Sequence, residues 1–492
     1  MRCGPTAALT SVVLFVVAAA AAQTPRVGPI YSPDGPASGR RPIDVAPIVL
    51  KPGPQLFLDE YLIDSTQNLQ RRPITLSRDP AIPNPIVTGA RREGEGDKNF
   101  QPWLTVIRDP QSQRFRLWYN IGVTKGDSVI GYMESEDGVR WQRPHRELSK
   151  PDNVVFCSAV LDEGPQFTPP AERFKMAFYS KAKQAEVWAS PDGLEWSFFA
   201  RGPIPTNDII DLVHDSARGR YLMTFGAPAV PEDGYKGSTP NAKEGYRRLV
   251  GQSASADCKT WTTPRRIIMP GERDEGITEF YGVGGLLPRD DLIVGTVKVL
   301  RDDLPCDPNG PAQGIGYTTV AWTHDGENWI RDSVPLLDRD HTAGSWDHAH
   351  TWVDCQLPVG DEVYLYYGGY KGGHKVNRFE ERQIGLVKMK RDRYIAREAG
   401  ADRGTLRTTP LILEATTLTA NVEPIGDGEV RVQVLVDGKP VNGFTFEECQ
   451  PIKTDSVAAP VFWKADLAQL SGKAIQLEFA VTNARLFGFE TK

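Results

Sequence analysis

The sequence predicts an all-β protein, a five-bladed β-propeller followed by a small β-sandwich. Three observations predict this fold: a turn motif that recurs along the chain, four strand-like runs in each repeat, and a change to plain alternating strands near the C-terminus. The 492 residues include 46 glycines and 39 prolines, which are scattered rather than clustered. That usage is typical of many short strands joined by tight turns.

The recurring turn has the form Ser/Thr-x-Asp-x-x-x-Trp, and in three of its four copies Gly follows the Asp. An Asp in such a turn binds its own backbone, and Gly accepts the positive φ that the turn needs. The motif is therefore expected to be structural rather than catalytic. The copies span 135–141, 190–196, 255–261 and 323–329, and their tryptophans are 55, 65 and 68 residues apart.

Each repeat contains four strand-like runs, with the motif between the third and the fourth. A fifth unit ends near Tyr394 and keeps the strands without the motif. Four strands repeated radially about every 60 residues indicate a propeller. We expect five blades within residues 50–400, with an early strand at 55–59 closing the ring against the last blade.

Beyond residue 401 the pattern changes to simple alternation. Val430, Val432 and Val434 alternate with polar or longer side chains, and a second alternating run follows near the C-terminus. Such alternation predicts half-buried strands. Residues 402–492 are therefore expected to form a β-sandwich that packs against the propeller, with carbohydrate binding as the alternative role.

The first 22 residues have the pattern of a signal peptide: a short positive start, an apolar run and small residues before Gln23. The protein is thus expected to be exported, to the periplasm or the extracellular space. No later segment is apolar enough to span a bilayer. The net charge of −6 and the lack of a basic stretch disfavour nucleic acid as a partner.

The five cysteines beyond the signal peptide are widely spaced and form no Cys-x-x-Cys pair. A zinc site of the usual spacing is therefore disfavoured. Buried free thiols are the favoured interpretation, and one disulfide is the alternative.

The repeated turns resemble the Asp-boxes of sialidases. Five blades followed by a sandwich resemble the family 32 β-fructosidases and the family 43 arabinanases and xylosidases. This resemblance implies a glycoside hydrolase over about residues 50–492. The family 32 nucleophile signature and the sialidase arginine motif are absent, and Arg108-Asp109-Pro110 matches a family 32 tripeptide only in a place where a hairpin turn is expected. The pair Glu448-Cys449, which matches another family 32 motif, falls in the sandwich.

Glycoside hydrolysis uses two carboxyl groups that flank the scissile bond. In a propeller the first strand of each blade lines the axis, so acids at first-strand starts are the candidates. We predict Glu279 as proton donor and Asp208 as base or modulator, with Asp97 completing the catalytic set. For each, an ordinary loop acid or a buried ion pair is the alternative.

Seven further residues are predicted to contact substrate from the same rim. Aromatic rings would stack on sugar faces, and acids and histidines would bind hydroxyl groups; hydrogen-bonded strand-end histidines are the alternative. No cofactor and no metal ligand are predicted, although a cation held near the axis through His350 is left open. The predicted binding residues are Trp103, Glu163, Asp211, Tyr281, Asp347, His350 and His374.

The sequence thus predicts an exported glycoside hydrolase that acts on plant or algal poly- or oligosaccharides. A non-catalytic carbohydrate-binding propeller and a sialidase-like enzyme are the alternatives. The expected partner is a carbohydrate, and the oligomeric state is left open.

Overall fold

A computed structural model of the chain describes residues 46–88, 100–124, 127–143, 145–228, 248–271, 273–274, 276, 278–307, 313–374, 376, 382–414 and 416–492, together with Met1. Within those residues the regular secondary structure is almost entirely strand, with two short 3-10 segments at Pro170–Glu172 and Leu467–Leu470. No helix in the described part of the chain is long and apolar enough to cross a membrane.

Five short strands precede the propeller, and they are divided between the two domains. Only the fifth pairs with a blade; the first four pair within the sandwich. They are β1 (Ile48–Leu50), β2 (Gly53–Leu56), β3 (Ile63–Gln67), β4 (Gln70–Pro73) and β5 (Val87–Thr88).

The first three blades are four-stranded antiparallel sheets whose strands follow chain order. Blade 1 contains β6 (Phe100–Arg108), β7 (Phe115–Thr124), β8 (Asp127–Ser135) and β9 (Arg146–Leu148). Blade 2 contains β10 (Val154–Asp162), β11 (Phe174–Ser180), β12 (Ala185–Ser190) and β13 (Ser197–Arg201). Blade 3 contains β14 (Asp211–Asp215), β15 (Arg220–Pro228), β16 (Arg248–Ser255) and β17 (Arg265–Ile268).

Blades 4 and 5 are joined by a parallel bridge between Gly316 and His350. Blade 4 contains β18 (Thr278–Arg289), β19 (Leu292–Pro305), β20 (Gln313–Thr323) and β21 (Trp329–Leu337). Blade 5 contains β22 (His350–Val359), β23 (Glu362–Tyr370) and β24 (Arg382–Lys390), with β5 as its outer strand. The predicted all-β propeller of five blades is confirmed.

The ring closes where the N-terminal strand β5 pairs with β24, so that one blade takes strands from both ends of the propeller sequence. The first strands of neighbouring blades contact one another all the way round, including β22 with β6. The expected closing strand at 55–59 was placed wrongly, because β2 pairs with the last strand of the sandwich instead.

The sandwich draws on both ends of the chain. Its C-terminal strands are β25 (Ile395–Ala399), β26 (Gly404–Thr408), β27 (Leu411–Leu413), β28 (Leu418–Val436), β29 (Lys439–Pro440), β30 (Ser456–Pro460) and β31 (Ala474–Thr491). β28 and β31 form the central antiparallel pair, and β1 to β4 add to the same sheet system. The segment around residues 48–73 therefore belongs with the sandwich, which sequence alternation near the C-terminus could not indicate.

The Asp-box turns join neighbouring blades. Asp137 accepts hydrogen bonds from the backbone N–H groups of Val139 and Arg140, as predicted for a turn. The backbone carbonyl of the next residue, Gly138, accepts a hydrogen bond from Tyr366 of blade 5, over 3.0 Å. The turns of blades 2 and 4 accept equivalent bonds from Trp118 and Gln252 in the preceding blade.

Asp109 also stabilises a turn through its side chain. It accepts hydrogen bonds from the backbone N–H groups of Gln111 and Ser112 in the β6–β7 hairpin. The family 32 tripeptide match is thus a turn, as expected. All five described cysteines are buried, and none of them is paired in a disulfide.

Candidate active site at the mouth of the propeller

We call the end of the axis where the five first strands begin the mouth. Strands in each blade are antiparallel, so second strands end and third strands begin at this same edge. Asp208, Glu279 and His350 all lie here, because each stands at or just before the start of a first strand. The Asp-box turns join third to fourth strands and therefore lie at the opposite edge.

Asp208 precedes blade 3 and is held by Arg248, the first residue of β16. The arginine Nη1 lies 3.3 and 3.4 Å from the two carboxylate oxygens. The same guanidinium lies 4.1 Å from the centre of the Tyr281 ring in blade 4. One arginine therefore links the acid of blade 3 to the aromatic wall of blade 4.

The aromatic wall consists of Tyr281 and Trp352, whose rings are stacked with centroids 4.6 Å apart. His374 meets the edge of this stack: its Nε2 lies 3.4 Å from the Tyr281 hydroxyl. Its Nδ1 lies 3.1 Å from a carboxylate oxygen of Asp302. Blades 3, 4 and 5 thus contribute to one continuous polar and aromatic network.

His350 lies fully buried within this network. Its ring packs at 4.8 Å against Trp352 and at 4.9 Å against Tyr370. Gly316 permits the approach, since a Cβ there would lie 2.4 Å from His350 Cδ2. Within the described residues neither ring nitrogen has a hydrogen-bond partner. Burial lowers the pKa of His350 well below its usual value, so the ring is neutral at pH 7.

Glu279 is the second residue of β18 and is only 2 % exposed. It stands two residues before Tyr281, where the pairing of β18 with β19 shifts register between Phe280 and Gly282. We define the mouth cluster as Asp208, Arg248, Glu279, Tyr281, Asp302, His350, Trp352 and His374. The cluster brings together two candidate acids and the aromatic and cationic groups that surround them.

A second charged group lies deeper along the axis. Lys298 contacts Asp354, and Asp211 lines the same cavity of about 20 Å³, room for about one water molecule. Burial raises the pKa of Asp211 to about 6 and that of Asp354 to about 7, against the neighbouring Lys298, which lowers both. Both carboxyl groups are therefore poised to hold protons that an exposed Asp would release.

Two predicted binding residues are not part of the mouth cluster. Glu163 follows the end of β10, at the opposite end of the axis, and its carboxylate lies 2.9 Å from Lys175 Nζ. The prediction of a strand start at Glu163 is wrong, because the sequence pattern does not reveal the preceding strand at Val154–Asp162. Asp347 is fully buried and accepts from Arg78 and Tyr367, so we assign it to the fold.

The remaining predicted residues divide between the cavity and the part of the chain not described. Trp103 is 4 % exposed, lines the axial cavity and meets Phe156 edge-on at 4.7 Å. Asp97 lies outside the described residues. Asp211 lies in the cavity below the mouth cluster rather than within it.

Sequence reasoning missed four charged residues that the structure brings to the axis: Arg248, Lys298, Asp302 and Asp354. A signal existed for Lys298, which stands alone between valines in an apolar strand, and for Asp354, which interrupts β22 in the same way. Arg248 and Asp302 lie at the ends of strands, where charged residues are common, so no sequence signal marked them.

Besides the mouth cluster and the axial cavity, the described part of the chain contains a group of three potential metal ligands. Atoms of Cys306, Asp307 and His348 lie within 4.8 Å of one another. They adjoin the mouth cluster through His348, which precedes His350 by two residues.

Comparisons with known proteins add the following. No protein-family model matches the chain. Over 106 residues it is 32 % identical to the uncharacterized protein Rv1502 of Mycobacterium tuberculosis, a match that covers 19 % of this chain and 32 % of that protein. The chain thus spans about a third of the length of this curated relative.

Glycoside hydrolases recur among the solved structures that resemble the chain. One belongs to the GH130 family of mannoside phosphorylases and glycoside hydrolases, with 14 % identity, coverage of 66 % of this chain and 96 % of that chain, and a TM-score of 0.41. Another is an exo-β-1,3-galactanase from Phanerochaete chrysosporium, with 10 % identity, 87 % and 100 % coverage and a TM-score of 0.36. An N-acetylgalactosamine deacetylase from F. plautii matches with 15 % identity, 66 % and 96 % coverage and a TM-score of 0.41.

Proposed function

We propose that the protein hydrolyses glycosidic bonds at the mouth cluster. The observation that carries this proposal is the placement of Asp208 and Glu279 at the starts of neighbouring blades, at the same end of the axis. Arg248 contacts both Asp208 and Tyr281, and Tyr281 follows Glu279 by two residues in β18. A pair of carboxyl groups facing one site is what this reaction requires.

Glu279 is the proposed proton donor and Asp208 the proposed base or modulator. Glu279 is almost completely buried near the start of β18, and Asp208 is held in place by its ion pair with Arg248. We assign the two roles from these positions.

We propose plant or algal poly- or oligosaccharides as the substrate class. Tyr281 and Trp352 stack on each other at the mouth beside His374 and Asp302, and all four side chains are buried. Aromatic and polar groups together suit sugars, which present an apolar face and a rim of hydroxyls. Export to the periplasm or beyond is proposed from the apolar run near the N-terminus.

The test is a panel of plant and algal glycans incubated with the purified protein, read as released sugars. Glu279→Gln and Asp208→Asn should each reduce the rate about 100-fold or more, since general acid–base catalysis is commonly worth that much. Asp137→Asn, at the opposite edge, is the matched control and should retain the rate. Binding of a glycan without sugar release would instead support a carbohydrate-binding propeller.

A further inference from the structure

Cys306, Asp307 and His348 meet where the chain leaves β19 and where it approaches β22. Their potential ligand atoms lie within 4.8 Å of one another. Cys306 and His348 are 3 and 4 % exposed, whereas the Asp307 side chain is 51 % exposed. The group is thus anchored in the protein on one side and accessible to ions on the other.

The hydrogen bonds of His348 reveal an electrostatic conflict within this group. Its Nδ1 lies 2.7 Å from the backbone carbonyl oxygen of Asp340, which can only accept, so Nδ1 must carry a hydrogen. Its Nε2 lies 2.7 Å from a carboxylate oxygen of Asp307. In a neutral ring that nitrogen presents a lone pair, and two acceptors then face each other. Either a hydrogen or a metal ion has to lie between them.

The third residue favours the metal. A histidine–aspartate ion pair needs no thiol, yet Cys306 Sγ lies within 4.8 Å of both other ligand atoms. The thiol also lies 3.7 Å from the backbone carbonyl oxygen of Lys371, to which it can donate when it is protonated. Thiolate, imidazole and carboxylate together form a ligand set that suits zinc, and the thiolate disfavours magnesium and calcium. The bond from Nδ1 to a backbone carbonyl is also the arrangement that orients metal-bound histidines.

The spacing is within reach of a single ion. Bond lengths of about 2.0–2.3 Å place the ligand atoms of a tetrahedral zinc roughly 3.3–3.8 Å apart. The ligand atoms lie within 4.8 Å of one another, and the exposed Asp307 side chain can move to adjust its distance to the ion. Three protein ligands leave the fourth position to water, which the exposed side of the site supplies.

We propose that Cys306, Asp307 and His348 bind a zinc ion or a similar divalent transition metal. The ion would fasten the end of β19 to the segment that enters β22, two residues before His350 of the mouth cluster. This proposal replaces the expectation that the protein has no metal ligand. It does not depend on the hydrolase activity, because its test measures metal binding.

The experiment uses Co²⁺ as a spectroscopic probe for the zinc site. The purified protein is stripped with a chelator, titrated with Co²⁺ and followed by absorption. We expect one equivalent to bind, with a thiolate-to-cobalt charge-transfer band in the near ultraviolet, and expect Zn²⁺ to displace it. Zn²⁺ should also raise the thermal unfolding midpoint of the stripped protein, since a ligand that binds only the folded state stabilises it.

Three variants and one control decide the assignment. Cys306→Ser should abolish the charge-transfer band, and His348→Gln and Asp307→Asn should each weaken Co²⁺ binding at least about tenfold. Cys449→Ser removes another buried thiol, in the sandwich, and should leave the spectrum unchanged. Circular dichroism checks that each variant is folded. A titration without the band, or a band that survives Cys306→Ser, overturns the proposal and leaves His348 and Asp307 as an ion pair only.

Discussion

Arg248 donates to both carboxylate oxygens of Asp208 and covers the ring of Tyr281 with the same guanidinium. The side chains of the arginine and the aspartate are 19 and 10 % exposed, so the ion pair is largely shielded from water. Removing one partner of such a pair leaves the other charge poorly solvated. The contact therefore both fixes the position of Asp208 and joins blades 3 and 4 at the mouth.

Arg248→Met should lower the rate of sugar release by about 10–100-fold, because Asp208 loses the group that orients it. Arg248→Lys keeps the charge but not the planar guanidinium that lies over Tyr281, and it should recover part of that loss. The rate is measured on whichever glycan the panel identifies, with thermal unfolding as the check on folding. Equal rates for wild type and Arg248→Met at unchanged stability would show that Asp208 needs no such partner.

The Asp-box carboxylates should contribute to stability and not to turnover. Asp137→Ala removes an acceptor for two backbone N–H groups and should lower the free energy of unfolding by about 1 kcal/mol. Asp192→Ala removes the equivalent bonds in blade 2 and should behave alike. Chemical denaturation measures the loss, and the rate per folded molecule should stay constant. A large loss of rate in a fully folded variant would contradict this prediction, because it would mean that these turns take part in the reaction at the mouth.

The closure of the ring depends on Asn84, just before β5. Its side chain donates to the carbonyl of Leu386 and accepts from the N–H of the same residue, both over 2.8 Å. It thus extends the pairing of β5 with β24 by one side-chain rung. Asn84→Ala should lower the free energy of unfolding, measured by chemical denaturation, by about 1–3 kcal/mol. Both the N–H and the carbonyl of Leu386 lose their hydrogen-bond partner in this variant.

The matched control for closure is Asn328→Ala, which removes an amide that hydrogen-bonds Asp325 on an exposed turn. Its effect on the denaturation midpoint should be well below that of Asn84→Ala. If the two variants lose equal stability, the contact at Leu386 is no more important than an ordinary surface bond.

The repeated turn made the fold predictable, because the spacing of Trp141, Trp196, Trp261 and Trp329 reflects one blade per repeat. What the sequence could not show is which distant segments pair. β5 and β2 are both short early strands, and only long-range pairing sends one to blade 5 and the other to β31. Local patterns carry no information about that choice.

The candidate site was predictable only in part, for a related reason. Asp208 and Glu279 were found because the fold fixes where first strands begin. Glu163 was misplaced because one unrecognised strand shifted it to the opposite end of the axis. Arg248 comes to the site from a third strand, and its role depends on a contact between blades that no local pattern encodes.

The buried carboxyl groups of Asp211 and Asp354 predict an unusual dependence of stability on pH. Burial raises their pKa values to about 6 and about 7 in the folded protein, above the usual value of an unfolded Asp. Between about pH 4 and pH 7 the folded state therefore holds protons that the unfolded state has released. Stability from these groups is greatest at the acidic end of that window and falls as the pH rises through it.

His350 has the opposite effect on how stability depends on pH. Burial lowers its pKa in the folded protein, so the unfolded state binds a proton on this ring more readily. Stability is therefore lost as the pH falls below the usual pKa of histidine. The two effects are separated by comparing wild type with Asp354→Asn, in which His350 is unchanged. The asparagine cannot ionise, so the variant should lose less stability than wild type from pH 4.5 to pH 7.5, by a few kcal/mol at about 1.4 kcal/mol per pKa unit. Urea unfolding at half-unit steps of pH measures both curves.

Asp257→Asn is the control, since the backbone N–H groups of Thr260 and Lys259 lower the pKa of Asp257 and its titration lies below this window. Parallel curves for wild type and Asp354→Asn would mean that Asp354 ionises at the usual pH, with Lys298 outweighing its burial.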